Sequence, residues 1–248
     1  MNKSVIFFII TFLMSGSVLA EKIRFSTSAT NPPFESFDGH NQLAGFDIDL
    51  AKALCIQMQA ECTFTNLAFD SLIPALKFRK SDAVIASLDI TPERSKQVTF
   101  SDPYYENSAT VVSKKGLYRS FSDFRGKRIG VENGSTHQKY LQDKYPEIKT
   151  VPYDSYLSAF TDLKNGRTEA VFGDTAAVHE YLKTNPQLGT AIQKVTDPDY
   201  FGAGLGIAVN PDNPTLLFKI NKALREIKHD GTYKKIIEKW VPDQDINN

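Results

Sequence analysis

Two groups of polar residues in this sequence could bind chemical groups of opposite charge. In the first group, Arg94 comes soon after a predicted strand, where its guanidinium can grip a carboxylate through two parallel hydrogen bonds. Ser135 and Thr136 follow another predicted strand and open a helix, whose N–H groups and positive end favour the same carboxylate. The ordinary alternative for Arg94 is a surface ion pair with Glu93 or Asp89. For Ser135 the alternative is simple helix capping.

The second group could hold an ammonium. Asp174 would supply a carboxylate, with Ser87 and Asp89 as further acceptors. The alternative for Asp174 is capping of a helix that begins near Thr175. Phe69 is either a core residue or a face for a cationic side chain, where cation–π contact favours arginine or lysine. Because the zwitterion of an α-amino acid needs both groups, their joint presence predicts an amino-acid site.

Signals of catalysis are missing from the sequence. It contains no Gly-x-Ser-x-Gly, no phosphate-binding Gly-Lys-Ser/Thr loop and no zinc-type cysteine cluster. Glu132 and His137 are the only candidates for a general acid or base beside the site. The four histidines have no metal-ligand spacing: His40, His137, His179 and His229. We therefore expect a protein that is not an enzyme and that uses no cofactor and no metal.

The first 20 residues are typical of a cleaved secretory signal peptide. They carry one positive charge, Lys3, then an apolar stretch too short to span a bilayer, and small residues before Glu21. A membrane anchor is the alternative. No cysteine follows for lipid attachment, so we expect a soluble periplasmic protein. Without this segment the chain has 28 basic and 29 acidic residues, which gives no electrostatic case for nucleic acid.

The chain has two cysteines, Cys55 and Cys62. An oxidising compartment favours a disulfide between them, which would clip the end of one predicted helix to the start of the next strand. Two buried free thiols are the alternative.

The hydrophobic pattern predicts alternating strands and helices. Strands are expected at 22–27, 62–67, 83–88, 127–131, 169–172 and 205–209. Helices are expected at 46–58, 71–79, 135–145, 156–165, 214–228 and 232–240. This alternation predicts the α/β class, with mostly parallel sheets flanked by helices.

A short internal echo favours two similarly built lobes. Leu76-Lys77 and Leu163-Lys164 are each followed, after four intervening residues, by an acidic residue, Ala and Val. The eleventh residue after each Leu is Ser87 in one copy and Asp174 in the other. Ligands of open α/β sheets bind outside the carboxyl ends of strands, so two facing lobes would form a cleft there. The expected connections between the lobes are the extended segment 109–112 and the glycine-rich segment 202–206.

Several motifs together resemble the polar amino-acid periplasmic binding proteins of ABC importers, and most closely their arginine-binding and lysine/arginine/ornithine-binding branch. The motifs are Pro32-Pro33-Phe34-Glu35, Gly45-Phe46-Asp47-Ile48-Asp49-Leu50-Ala51, Phe69-Asp70-Ser71-Leu72-Ile73-Pro74, Asp89-Ile90-Thr91-Pro92-Glu93-Arg94, Gly134-Ser135-Thr136-His137, Phe172-Gly173-Asp174 and Asp230-Gly231-Thr232-Tyr233. They extend over essentially the whole mature chain. The spacing of Cys55 and Cys62 also matches the disulfide of that branch.

The resemblance implies a type II periplasmic binding protein fold, with two lobes joined by a two-segment hinge. Residues 21–108 and 206–248 would form lobe 1 and residues 109–205 lobe 2. The partners would be a small amino-acid ligand and the membrane permease subunits of an ABC importer, and the protein would be a monomer.

The resemblance also assigns the ligand contacts. Arg94 would hold the carboxylate with the Thr136 backbone, Asp174 and Ser87 the ammonium, and Phe69 would flank the side chain. The complete expected set is Ser28, Asn31, Phe34, Phe69, Ala86, Ser87, Asp89, Arg94, Glu132, Ser135, Thr136 and Asp174.

Two positions depart from the pattern of the basic amino-acid binders. Just before Pro-Pro-Phe those proteins typically carry an acidic residue and an aromatic one, where this chain has Ser28 and Asn31. Asp89 and Glu132 are then the remaining counter-charges for a basic side chain. Arginine is the first ligand expected, with histidine, lysine, ornithine and glutamine as alternatives. A dehydratase-type enzyme on the same fold is the less favoured alternative.

Overall fold

The computed structural model describes residues 20–201 and 203–242. Most of the predicted signal peptide, one glycine of the predicted connection 202–206 and the end of predicted lobe 1 therefore lie outside the described residues. In the described part of the chain, no helix is long and apolar enough to cross a membrane.

The described residues form twelve strands. In chain order they are β1 (Lys22–Thr27), β2 (Ser36–Phe37), β3 (Leu43–Ala44), β4 (Glu61–Asn66), β5 (Ala83–Val84), β6 (Thr99–Phe100), β7 (Ala109–Lys114), β8 (Arg128–Glu132), β9 (Lys149–Tyr153), β10 (Ala170–Asp174), β11 (Leu188–Val195) and β12 (Ala208–Val209).

Seven α-helices alternate with these strands. They are α1 (Phe46–Gln57), α2 (Leu72–Lys77), α3 (Thr136–Lys144), α4 (Tyr156–Lys164), α5 (Thr175–Leu182), α6 (Pro214–His229) and α7 (Thr232–Trp240). Short 3₁₀ turns lie at Phe69–Ser71, Arg94–Lys96 and Phe121–Phe124.

Ten strands form two five-stranded sheets. The first has the order β4-β1-β5-β12-β6 and the second the order β11-β7-β10-β8-β9. Only β12 in the first sheet and β7 in the second run against the other four strands. The prediction of mostly parallel sheets flanked by helices is therefore confirmed. We call the first sheet with α1, α2, α6 and α7 the first-sheet unit, and the second sheet with α3, α4 and α5 the second-sheet unit.

Each unit has its own hydrophobic core. In the first-sheet unit, α6 buries one apolar face in a core that it shares with residues of α1 and β1, and this face comprises Leu216, Ile220, Ala223, Leu224 and Ile227. These positions recur at helical spacing, and the opposite face of α6 is polar, so burial of the stripe fixes how the helix lies on the sheet. Asn213 caps its first turn by accepting a hydrogen bond from the Leu216 N–H at 3.1 Å.

A disulfide joins Cys55 in α1 to Cys62 in β4. The predicted pairing is confirmed, and it ties the end of a helix to the adjacent edge strand of the first sheet.

Two chain segments cross between the units side by side. Leu205 forms bridges with both Tyr105 and Asp89, and its N–H donates to the Tyr105 carbonyl at 2.8 Å. The prediction that 109–112 is a connection is wrong, because these residues belong to β7 and pair with β10 and β11. A buried apolar strand and an extended linker have the same local pattern, and only the pairing partners distinguish them.

Candidate functional site

The candidate site lies where the carboxyl ends of strands from both sheets meet. Asn31 follows β1, Ser87 follows β5, Glu132 ends β8 and Asp174 ends β10. A hydrogen bond of 2.9 Å from Asn31 Nδ2 to Asp174 Oδ2 joins the two units directly. The two sheets therefore present the carboxyl ends of their strands to each other, which is where ligands of open α/β sheets bind.

Two amide side chains organise the acidic part of the site. Asn31 Nδ2 donates to Ser87 Oγ at 2.8 Å as well as to Asp174. Asn107 Nδ2 donates to Asp174 Oδ1 at 2.7 Å and to Asp89 Oδ1 at 2.8 Å. Each amide thus links one side chain of the second-sheet unit to one of the first. Both oxygens of Asp174 are held in fixed positions as a result.

Two buried acidic residues accept hydrogen bonds from Ser87. Its N–H donates to Asp47 Oδ2 at 2.6 Å and its hydroxyl donates to Glu35 Oε1 at 2.9 Å. Tyr104 also donates to Asp47, at 2.9 Å. Burial raises the pKa of Asp47 to about 6 and raises that of Glu35 well above its ordinary value. These contacts hold Ser87 at a φ of 42°, which is uncommon for a residue other than glycine.

Arg94 is the buried cation of the site. Its Nη1 donates to the Asp89 carbonyl at 3.0 Å, and its Nη2 donates to the Gly134 carbonyl at 3.3 Å. Its Cζ lies 5.5 Å from the centroid of the Phe69 ring. These contacts leave donors of the five-donor guanidinium for a carboxylate and fix the plane of the group.

The start of α3 lies beside Arg94. Ser135 caps this helix, because its Oγ accepts a hydrogen bond from the Gln138 N–H at 3.1 Å. Thr136 donates from Oγ1 to Asp89 Oδ2 at 2.6 Å. The first N–H groups of α3 and the Arg94 guanidinium together form an electropositive end of the site.

Three buried carboxyl groups interact electrostatically with this cation. Burial raises the pKa of Asp89 and Asp174 to about 6 and that of Glu132 to about 8. Glu132 Oε1 accepts a hydrogen bond from Thr30 Oγ1 at 2.9 Å, which is a further direct contact between the units. The site therefore contains three buried carboxyl groups near the single guanidinium of Arg94.

Further contacts join the two units at the rim of the site. Asn133 Nδ2 donates to Asp70 Oδ2 at 2.8 Å, and Lys139 Nζ lies 3.6 Å from Glu93 Oε2. Both pairs are exposed, so each contributes little on its own.

The remaining expected residues occupy different surroundings. Phe34 is fully buried and its ring lies 5.0 Å from that of Tyr105, within the core of the first-sheet unit. Ala86 is buried in the same apolar cluster as Phe69. Ser28 Oγ and Asn31 Oδ1 are buried and have no hydrogen-bond partner among the described residues.

Three residues of the site were not singled out as ligand contacts by the sequence. Asn107 and Thr30 lie in segments without a motif, and only the pairing of the units shows their role. His137 lies directly behind Asp174, with Nδ1 at 2.8 Å from the Tyr156 hydroxyl and Nε2 at 3.7 Å from Asp174 Oδ1. Burial lowers its pKa to about 4, so the ring is neutral at pH 7.

Comparison with known proteins gives consistent matches over nearly the whole chain. A family model described as bacterial extracellular solute-binding proteins, family 3, matches residues 23–243. ABC transporter arginine-binding protein 1 of Escherichia coli (strain K12) is 66% identical over 242 residues, which is 98% of this chain and 100% of that protein.

The chain is also similar to solved structures of arginine-binding proteins. A Salmonella typhimurium periplasmic binding protein with high arginine specificity is 56% identical with a TM-score of 0.87, covering 89% of this chain and 99% of that one. An ancestral arginine-binding protein bound to glutamine is 42% identical with a TM-score of 0.84, covering 91% of this chain and 100% of that one.

Proposed function

The chain belongs to the bacterial extracellular solute-binding proteins of family 3, and from that premise we propose that it captures L-arginine and delivers it to an ABC importer. The E. coli relative, which is 66% identical, is an arginine-binding protein of an ABC transporter. The relatives are substrate-binding proteins and not enzymes, so the dehydratase alternative is set aside.

The excess of buried acid in the site is the single observation that carries this proposal. Asp89, Glu132 and Asp174 are each 3% exposed, and all three interact with the charge of one guanidinium, that of Arg94. An amino acid with a neutral side chain brings no net charge to such a site, whereas arginine brings one positive charge. Because buried charges interact strongly, this charge balance favours a basic ligand.

The amino-acid head group would lie between the two ends of the site. Arg94 and the first N–H groups of α3 would hold the carboxylate. Asp174 and Ser87, positioned by Asn31, would hold the ammonium. The Phe69 ring would flank the ligand as it flanks Arg94.

The guanidinium of the ligand would donate hydrogen bonds to acceptors in this site. These acceptors take the place of the acidic and aromatic residues that other basic amino-acid binders carry just before Pro-Pro-Phe. Glu132 supplies the charge. The buried oxygens of Ser28 and Asn31, which have no partner among the described residues, supply neutral acceptors. Five N–H donors of a guanidinium can use several such acceptors at once.

Capture would involve closure of two lobes, 21–108 with 206–248 and 109–205, about the paired crossings at Tyr105 and Leu205. The contacts between Asn31 and Asp174 and between Thr30 and Glu132 would form on closure and break on opening. We place the mature protein in the periplasm as a monomer, after removal of the leader, where the closed form would dock on the permease subunits.

Calorimetric titration of the unfolded and refolded protein with the twenty amino acids and ornithine tests this function. Arginine is expected to bind one to one and at least tenfold more tightly than lysine, ornithine, histidine or glutamine, because it alone matches both the charge and the acceptors. Refolding removes any ligand carried through purification. Equal affinity for arginine and glutamine would contradict the charge argument, and no binding at millimolar concentration would contradict the receptor function.

A further inference from the structure

Glu132 has fewer hydrogen-bond partners than Asp89 and Asp174, the other two acids near Arg94. Its carboxyl accepts one hydrogen bond among the described residues, from Thr30. Asp174, by contrast, accepts hydrogen bonds from the amides of both Asn31 and Asn107, and these bonds stabilise its negative charge.

The charged groups around Glu132 do not compensate its burial. Arg94 favours ionisation, but Asp174 and Asp70 oppose it, and Tyr156 and Glu35 also interact with its charge. Arg94 is engaged with the carbonyls of Asp89 and Gly134. Burial is the dominant influence, and it holds the pKa of Glu132 at about 8.

The burial of Glu132 depends on the contact between the units. Thr30 belongs to the loop after β1, in the first-sheet unit, and Glu132 ends β8 in the second. If the units separate, water reaches the carboxyl, and its pKa returns toward the ordinary value near 4.5.

We propose that Glu132 discriminates against amino acids with uncharged side chains by forcing the protein to take up a proton when it closes over them. This inference rests on the proposed function and deepens it. A bound guanidinium keeps the buried carboxylate ionised, so closure over arginine requires no proton at Glu132. A bound urea or amide leaves the carboxylate without a cation, and it becomes protonated.

The direction of the pH dependence follows from the protons bound in each state. Between about pH 5 and pH 8, Glu132 is ionised in the open protein and protonated in the protein closed over a neutral ligand. The closed state therefore binds one more proton, and its formation weakens by about tenfold for each unit of rising pH. At pH 5 and below both states are protonated to a growing extent, and the dependence fades.

Arginine and citrulline form a matched pair of probes. They share the head group and side-chain length, and citrulline has a neutral urea in place of the guanidinium. The effect that titrations of Asp89, Asp174, Asp47 and Glu35 have on the shared head group cancels in the ratio of the two affinities, and their effect on the charge of Glu132 disappears in Glu132→Gln. The ratio therefore reports on the side-chain end of the site.

The test is displacement of radiolabelled arginine by unlabelled arginine and by citrulline at pH 5.5, 6.5 and 7.5. The ratio of citrulline Kd to arginine Kd is expected to rise roughly 50-fold over this range, with the loss confined to citrulline. Calorimetry at pH 7 in buffers of different ionisation enthalpy should show about one more proton taken up with citrulline than with arginine. A ratio that is constant with pH, or equal proton uptake for both ligands, would overturn the inference.

Two variants locate the effect. Glu132→Gln is expected to make the ratio independent of pH and to lower its value at pH 7.5, because the amide cannot titrate. Glu147→Gln, at an exposed carboxyl beyond the opposite end of β9, should retain the wild-type slope. A slope that survives in Glu132→Gln would assign the proton to another group and overturn the inference. Failure of arginine itself to bind would instead refute the proposed function.

Discussion

Arg94→Ala is expected to weaken the binding of every amino acid by about 30-fold to 5,000-fold, since removal of one partner from a buried charge pair costs roughly 2 to 5 kcal/mol. Arg94 is 8% exposed, and its guanidinium interacts with three buried carboxyl groups. Its loss removes the carboxylate contact and also leaves Asp89 and Asp174 without their nearby cation. The loss is independent of the ligand side chain because all α-amino acids share the head group. Calorimetric titration with arginine, lysine and glutamine measures it.

A matched control separates this effect from a general loss of charge. Arg79 is exposed and pairs with the equally exposed Asp212 at 2.9 Å, away from the site. Arg79→Ala should therefore bind arginine as the wild type does. Both variants should be compared by thermal unfolding without ligand, so that a folding defect is recognised. Normal arginine binding by a folded Arg94→Ala protein would show that the carboxylate lies elsewhere.

Gly45→Ala is expected to destabilise the fold by about 3 to 5 kcal/mol, the range of severe backbone conflicts. Gly45 precedes α1 with φ 131° and ψ 175°, a conformation that is essentially restricted to glycine. An added Cβ would collide with the Phe34 carbonyl oxygen and lie 2.6 Å from its carbon. Both groups are backbone, so neither can rotate away. The midpoint of urea unfolding measures the loss.

The same substitution should also weaken arginine binding in the molecules that remain folded. The loop that carries Asn31 and Glu35 is held against the start of α1 by a 2.9 Å hydrogen bond from the Asp47 N–H to the Phe34 carbonyl. Displacement of Phe34 would move this loop and its ligand contacts. Gly116→Ala is the control, since its φ of 79° also favours glycine but an added Cβ would have no neighbour within 4 Å. It should cost only about 1 to 2 kcal/mol, and equal losses in the two variants would contradict the collision.

The fold class could be predicted from the sequence because the hydrophobic periodicity of each helix and strand is visible within a short stretch of residues. The amphipathic pattern at 214–228 corresponds to α6, and the alternation at 22–27 corresponds to β1. The motifs placed the chain in its family, and the matches confirm that membership.

Edge strands of the second sheet could not be predicted in the same way. β9 contains a proline and β11 has register shifts where it pairs with β7, so neither has a clean alternation. β7 was predicted as a connection, because its run of apolar residues does not reveal which strands pair with it. Pairing over long sequence distances is the information that local pattern lacks.

The internal echo predicted two residues of the site that lie in different units. It pointed to Ser87 and Asp174 as residues at matching strand ends, and one amide, Asn31 Nδ2, donates to both. The echo could not point to Asn31 or Asn107 as the bridging groups, because neither lies at a repeated position. Bridging groups of this kind depend on how the units face each other, which short motifs do not encode.

The proton affinity of Glu132 could not be predicted from the sequence either. Its residue type predicted a counter-charge for a basic ligand. Its proton affinity depends on burial by both units and on the distances to Asp174, Arg94 and Asp70, which only the folded chain defines. Specificity in this site therefore depends on the surroundings of an acid as much as on its presence.

A crystal structure of the refolded protein with L-arginine tests the proposed receptor site most directly. It should show the ligand carboxylate on Arg94 and the start of α3, the ammonium within hydrogen-bond distance of Asp174 and Ser87, and the guanidinium against Glu132. Arginine bound in the reverse direction, with its guanidinium on Asp174, would contradict the assignment of the head-group contacts. Arginine bound outside the contact between the two units would contradict the site as a whole.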